Sequence, residues 1–202
     1  VVFNPSTLQR LSHVLSASWQ AGAFLVLTAA AYWLLRRRHE RYALESMRIA
    51  LPVALAASLL QLGTGHWSAV GVWENQPAKL AAFEGHYAES APATLWLFGW
   101  VDEAEREVDL GLGLPGGLGL LTTGDPDTPI VGLDAFDEAD RPPVQSVFQT
   151  YHVMVAIGMA LIALSLLGVV ALWRGTLTRW RWLQRLLLVG VVGPQLAIQT
   201  GW

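Results

Sequence analysis

Four apolar runs, each close to the length that crosses a bilayer, limit what this chain can fold into more than any other feature. They cover about residues 11–35, 43–63, 147–173 and 183–201. A hydrocarbon core about 30 Å thick takes about 20 helical residues to cross. No water inside it can satisfy an open backbone, so runs of this kind fold as helices. Charge is swept out of them: charged residues make up 14% of the chain, against about 25% in a soluble domain. The expectation is an all-α membrane protein with about four transmembrane helices. Pro52 marks a kink in the second run. The second and fourth runs also read as buried helices packed against partners.

The gaps between the runs set an orientation. Arg36, Arg37, Arg38 and Arg41 separate the first two, with Arg48 just beyond, and Arg174, Arg179, Arg181 and Arg185 surround the gap between the last two. Basic loops stay in the cytoplasm. Residues 64–146 then lie outside, as a large loop between the second and third helices. Of the chain's 16 acidic residues all but Glu40 and Glu45 fall in that loop, against Lys79, Arg106 and Arg141 as its only lysine or arginine residues. Three parts are expected: a helix pair over 1–63, an extracytoplasmic loop over 64–146 and a second helix pair over 147–202. The chain starts at Val1 without an initiator Met and stops at Trp202 just after an apolar run, with no signal peptide. We expect a segment of a longer protein or one piece of a split subunit.

Inside the loop, Pro77 suits a first helical turn and predicts a short helix over 77–87. Asp102-Glu103-Ala104-Glu105-Arg106-Glu107 reads as a solvated charged face. The glycine-rich stretch 111–119 lacks the Lys and Ser/Thr of a phosphate loop, so irregular backbone is expected there. Asp125-Pro126-Asp127-Thr128-Pro129 is turn chemistry, followed by a short strand-like Ile130-Val131-Gly132.

Few residues could carry chemistry. His13 sits inside an apolar helix, where an imidazole is costly unless paired or ligated. Met154 lies at the same depth on another helix by this topology. A methionine there is ordinary packing, and the histidine can be a hydrogen-bonded core residue. A His/Met pair is also a known axial set for haem iron. Lys79 and Glu84 stand five residues apart in Gln76-Pro77-Ala78-Lys79-Leu80-Ala81-Ala82-Phe83-Glu84, at what should be the membrane–water boundary. They read either as solvated surface charges or as a hydrogen-bonding and proton-accepting pair for a quinol hydroxyl. A carboxylate at an apolar site has a raised pKa, which suits general-base work. His66 and His86 are further titratable groups nearby. Trp67, Trp73, Phe83, Tyr87 and Trp96 could line an aromatic floor or form an interfacial belt.

Other chemistries find no support. Without cysteine, disulfides, thiolate metal sites and C-x-x-C-H haem attachment are excluded. His66, Glu84 and His86 lack the spacing of a helical metal site, and no G-x-S-x-G elbow marks a hydrolase. Arginines gathered at the membrane edge with a net charge of −3 argue against nucleic acid as a partner.

Together these residues resemble subunit I of the bacterial cytochrome bd quinol oxidases. Gln76 to Glu84 resembles that family's quinol-loop motif, in which a Lys and a Glu serve quinol oxidation. Phe3-Asn4-Pro5 followed by His13 resembles the start of its fifth helix, whose His binds the low-spin haem b. Val153-Met154-Val155-Ala156-Ile157-Gly158 resembles its seventh helix, whose Met is the other axial ligand. Asp127-Thr128-Pro129-Ile130-Val131-Gly132-Leu133 and the closing Thr200-Gly201-Trp202 are similar too, in the same order along the whole chain. His152 stands where the family often has an Arg that assists the haem propionates, and Gln199 where many members have a Glu. The quinol loop looks short.

The resemblance implies the electron-entry part of a terminal respiratory oxidase of the bacterial plasma membrane. Membrane quinol would be oxidised at the outer loop by Lys79 and Glu84. Electrons would pass to a low-spin haem b on His13 and Met154, with His152 beside it. Further haems b and d belong to the complete complex, with the rest of subunit I and a second oxidase subunit as partners. The chain alone is not expected to reduce oxygen. The alternatives are a quinone-linked haem b electron-transfer protein without oxidase activity, and a degenerate, non-catalytic membrane scaffold.

Overall fold

A computed structural model of the chain describes residues 4–201. Phe3 of the Phe3-Asn4-Pro5 motif and Trp202 of the closing motif lie outside the described residues. The fold is mostly helical, with three helical stretches among the described residues long and apolar enough to cross a membrane: Thr7–Leu35, Glu40–Asn75 and Glu138–Trp173. These hold helices α1 (Thr7–Leu35), α2 (Glu40–Asn75) and α5 (Val144–Trp173). Between α2 and α5 come α3 (Pro77–Phe83), strands β1 (Leu95–Asp102) and β2 (Glu107–Leu114), and α4 (Gly117–Thr123).

The expected fourth span is broken. It forms two nine-residue helices, α6 (Arg181–Val189) and α7 (Val192–Thr200). Pro194 favours the break together with Gly190 and Gly193, since α2 passes through Pro52 without one. Pro194 has no N–H to return to the Gly190 carbonyl four residues back, so the helix restarts with the proline in its first turn, where that donor is not needed. Gly190 and Gly193 bridge the junction with N–H bonds three residues back, to Leu187 O and Gly190 O, each 3.2 Å.

The chain divides into two compact units. The first comprises residues up to 64 and from 154 onward. Its core is an aliphatic seam in which Phe24, Leu27, Met47, Leu51, Leu183 and Leu187 are fully buried. Small residues on α1 and α2, such as Ala30, Ala31, Ala43 and Ala54, let the backbones approach. Polar side chains within it are paired. Gln20 Nε2 donates to Ser58 Oγ at 2.7 Å, and Thr28 Oγ1 to the Leu187 carbonyl at 3.1 Å.

The second unit is residues 65–153. Here the structure departs from the expectation of irregular backbone around 111–119. Residues up to Leu114 form strand β2, antiparallel to β1 with Phe98 opposite Leu112 and Val101 opposite Val108, and α4 follows. The charged run 102–107 contains the hairpin turn, in which Asp102 Oδ1 accepts the N–H groups of Ala104 (2.8 Å) and Glu105 (3.1 Å). The strand-like Ile130 makes a single bridge to Ser90. Two cores fill the unit. One is built on Ala81, Val101, Leu133 and Phe148, the other on Leu80, Phe83, Leu118 and Ile130.

Candidate functional site

The short helix α3 is shaped by its ends. Gln76 stands before Pro77 and takes an extended φ of −142°, the residue before a proline being disfavoured in helix. Pro77 then opens α3 at N1. At the other end Glu84 is the C-cap and Gly85 turns left-handed at φ 61°. His86 N–H bonds to the Ala81 carbonyl (2.8 Å) and Gly85 N–H to the Ala82 carbonyl (3.3 Å), the paired closure of a Schellman motif. A side chain at Gly85 would also lie 2.8 Å from Val108. The helix ends there, with Glu84 held against the interior. The expected helix over 77–87 therefore stops at Phe83.

Glu84 is fully buried, and neither carboxyl oxygen makes a hydrogen bond of ordinary distance and angle among the described residues, the Trp96 backbone offering only a weaker one. Burial pushes its pKa up to about 8, the polar backbone of Trp96 offsetting part of the rise. Phe83 stacks on Tyr151 with ring centroids 4.2 Å apart, and Tyr151 lies within electrostatic reach of the Glu84 carboxyl. An unpaired carboxyl beside a stacked aromatic pair puts one proton-accepting group in apolar surroundings.

Lys79 is exposed and makes no ion pair among the described residues. Five residues along a helix is a rotation of about 140° and a rise of about 7 Å, so Lys79 and Glu84 do not share a face of α3. They are not a contacting pair. His86 is half-buried, with Nε2 3.0 Å from the Ile130 carbonyl, and burial holds its pKa down while that carbonyl opposes the shift. His66 and Trp67 are exposed. Trp73 and Phe83 belong to one core, Tyr87 and Trp96 to the other.

His152 is buried, with Nδ1 2.8 Å from the Phe148 carbonyl and Nε2 2.9 Å from the Trp96 carbonyl. Both ring nitrogens are thus engaged with backbone. It is one of three residues on a face of α5 that hold β1. Gln149 Nε2 donates to the Gly99 carbonyl at 2.8 Å, and Val101 N–H donates to Gln145 Oε1 at 3.0 Å. Tyr151 and this clamp were missed from sequence. The spacing 145, 149, 152 marks a helical face, but nothing in it points to a strand edge.

His13 and Met154 both lie in the first unit and are half-buried. His13 Nδ1 is 3.0 Å from Thr64 Oγ1, and its Nε2 has only a long approach, 3.5 Å, from Gln61 Nε2. A side chain added at Gly201 would stand 2.7 Å from Met154 Sδ, so glycine there leaves the thioether its place. One anchored imidazole and one thioether, both in an apolar unit, fit the axial donor set of a low-spin haem.

The family model for cytochrome bd terminal oxidase subunit I matches residues 1–202. A putative cytochrome bd menaquinol oxidase subunit I of Bacillus subtilis is 34% identical, over 99% of this chain and 46% of its own length. The cytochrome bd-II ubiquinol oxidase subunit 1 of Escherichia coli is 25% identical, over 100% of this chain and 52% of its own. A solved structure of bd oxidase from Geobacillus thermodenitrificans superposes with a TM-score of 0.88 at 31% identity, covering 99% of this chain and 46% of that one. The chain spans about half the length of the curated relatives it matches.

Proposed function

We propose, for a chain that belongs to the cytochrome bd terminal oxidase subunit I family, the electron-entry part of a quinol-oxidising respiratory oxidase. The observation that carries this reading is the fully buried, unpartnered carboxyl of Glu84 beside the Phe83–Tyr151 stack. A quinol is a flat apolar ring that must shed protons as it loses electrons. The stacked aromatics offer a surface for the ring, and burial keeps water from competing for its hydroxyl. Ionised Glu84 accepts the hydroxyl proton, and its raised pKa makes it a stronger base than an exposed carboxylate. Lys79, exposed on the same short helix, serves the mouth of the quinol site. Its flexible ammonium donates to the second oxygen as the ring enters.

His13 and Met154 are the residues that would hold a low-spin haem b, which when bound supplies a one-electron acceptor. His152 braces β1 through the Trp96 carbonyl and acts by shaping the wall of the quinol site. In the proposed orientation residues 64–146 lie on the outer side of a bacterial plasma membrane, so the protons leave outward. The rest of subunit I and a second oxidase subunit complete the enzyme, and its further haems b and d belong to those parts.

The test is Glu84→Gln in the complete oxidase. Loss of a positioned general base costs about 10²–10⁴-fold. Quinol turnover should therefore fall at least about 100-fold, while the dithionite-reduced haem spectrum stays as in the wild type. Turnover within a factor of about two of wild type would remove Glu84 from the reaction.

A further inference from the structure

We propose that Thr64 is a positioning residue that fixes His13 as its Nδ1–H tautomer and leaves Nε2 as the nitrogen presented to iron. This rests on the reading of His13 as a haem ligand. Thr64 Oγ1 lies 2.8 Å from the Leu60 carbonyl and 3.0 Å from His13 Nδ1. A carbonyl only accepts, so the single hydroxyl proton of Thr64 goes to Leu60. The hydroxyl therefore meets His13 with a lone pair, and Nδ1 must donate.

Around this pair, Gln61 Oε1 lies 2.6 Å from Ser16 Oγ, which also lies 2.9 Å from the Ser12 carbonyl and 3.0 Å from the His13 carbonyl. Gln61 Nε2 comes no nearer than 3.5 Å to His13 Nε2, so Nδ1 carries the short contact of the ring. Thr64 and Gln61 are three residues apart on α2, and Ser16 and His13 three apart on α1. Two facing helical rows thus meet polar side to polar side. One turn further along, Gln20 and Ser58 repeat the contact at 2.7 Å. In an apolar span these bonds also lock the two helices in register, so the imidazole plane is set by the backbone of α2.

An acceptor on the distal N–H of a ligating histidine orients the ring and raises its basicity, and losing such a partner typically costs 10–100-fold in metal affinity. The experiment uses the complete oxidase with Thr64→Val, which removes the acceptor at constant shape, and Thr64→Ser, which keeps it. Thr64→Ala takes the place of the valine variant if that does not assemble. The readouts are the redox midpoint and electron paramagnetic resonance g-values of the low-spin haem, and its retention on dilution.

The expected result for Thr64→Val is a midpoint shifted upward, because a less basic imidazole stabilises ferric iron less. Altered g-values and retention about 10–100-fold weaker should accompany it. Thr64→Ser should match wild type in all three. A wild-type midpoint and g-values in the valine or alanine variant would overturn the proposal. So would equal shifts with serine and valine, which would mean that Thr64 acts by packing alone. His13→Ala separates the two levels: a low-spin signal that survives it sinks the ligand reading itself, whereas loss of that signal with an unresponsive Thr64 sinks only the positioning role.

Discussion

Glu84 shows how a single side chain can be assigned a chemistry by its surroundings. Its counterpart in an unfolded chain ionises near 4.5, whereas in place it ionises near 8. Between those values the folded chain holds a proton that the unfolded chain has lost, so stability falls as pH rises through that window. Glu84→Gln cannot ionise and escapes this dependence. Its melting temperature should gain on wild type progressively from pH 4.5 to 8 and then level off; a constant offset across the window would mean that the carboxyl titrates normally. Turnover carries the opposite sign under the proposed mechanism, in which the ionised carboxylate is the base, and should climb as pH rises toward about 8. From sequence, the Gln-Pro at one end of α3 and the Glu-Gly at the other were open to view. Burial was not, because it depends on Tyr151, Trp96 and Val108, which arrive from elements distant in the chain.

Among the elements, the long helices were the easiest to read, and their ends the hardest. The second apolar run fades near residue 63, but α2 continues to Asn75, about 54 Å in all at 1.5 Å per residue. Hydropathy marks where lipid ends. The helix ends where backbone chemistry stops it, at Gln76 before Pro77. The hairpin was hidden for another reason. Val108, Leu110, Leu112 and Leu114 alternate with period two, as a strand should, but the glycines between them read as loop. Pairing with Trp96 and Phe98 on β1 and the clamp from α5 hold these residues as a strand. That clamp makes a prediction. Gln149→Leu removes the donor to the Gly99 carbonyl, a loss worth about 1–3 kcal/mol where a backbone acceptor is left unpaired in the interior. Limited proteolysis should then cut within residues 95–114 earlier than in wild type, while the low-spin haem spectrum is kept. Equal cutting rates would show that the hairpin holds without α5.

At the scale of the whole molecule, charge and hydropathy carry the argument. Leu8, Leu25, Ile49 and Val189 are more than half exposed on helices of the first unit, which is costly in water and favourable against lipid chains. The order of the spans was legible because lipid imposes one rule on every residue it touches. The break between α6 and α7 was not, because a proline alone does not end a helix: α2 runs through Pro52, whereas Pro194 follows Gly190 and Gly193, whose N–H groups bond three residues back. The proposed orientation follows from the arginine clusters, and the absence of cysteine makes it directly measurable. Glu105, exposed at the hairpin turn, and Thr178, exposed between α5 and α6, have α5 as the only long apolar helix between them. If α5 crosses the membrane with the basic loops inside, a membrane-impermeant maleimide added to intact cells should label this chain in Glu105→Cys and spare it in Thr178→Cys. Opening the membrane should then expose the second thiol. The reverse pattern would invert the protein and put proton release on the cytoplasmic side, where quinol oxidation would no longer add to the membrane potential. Labelling of both thiols from outside would mean that α5 does not span, and the proposed quinol site at Glu84 would then have no fixed side of the membrane on which to release its protons.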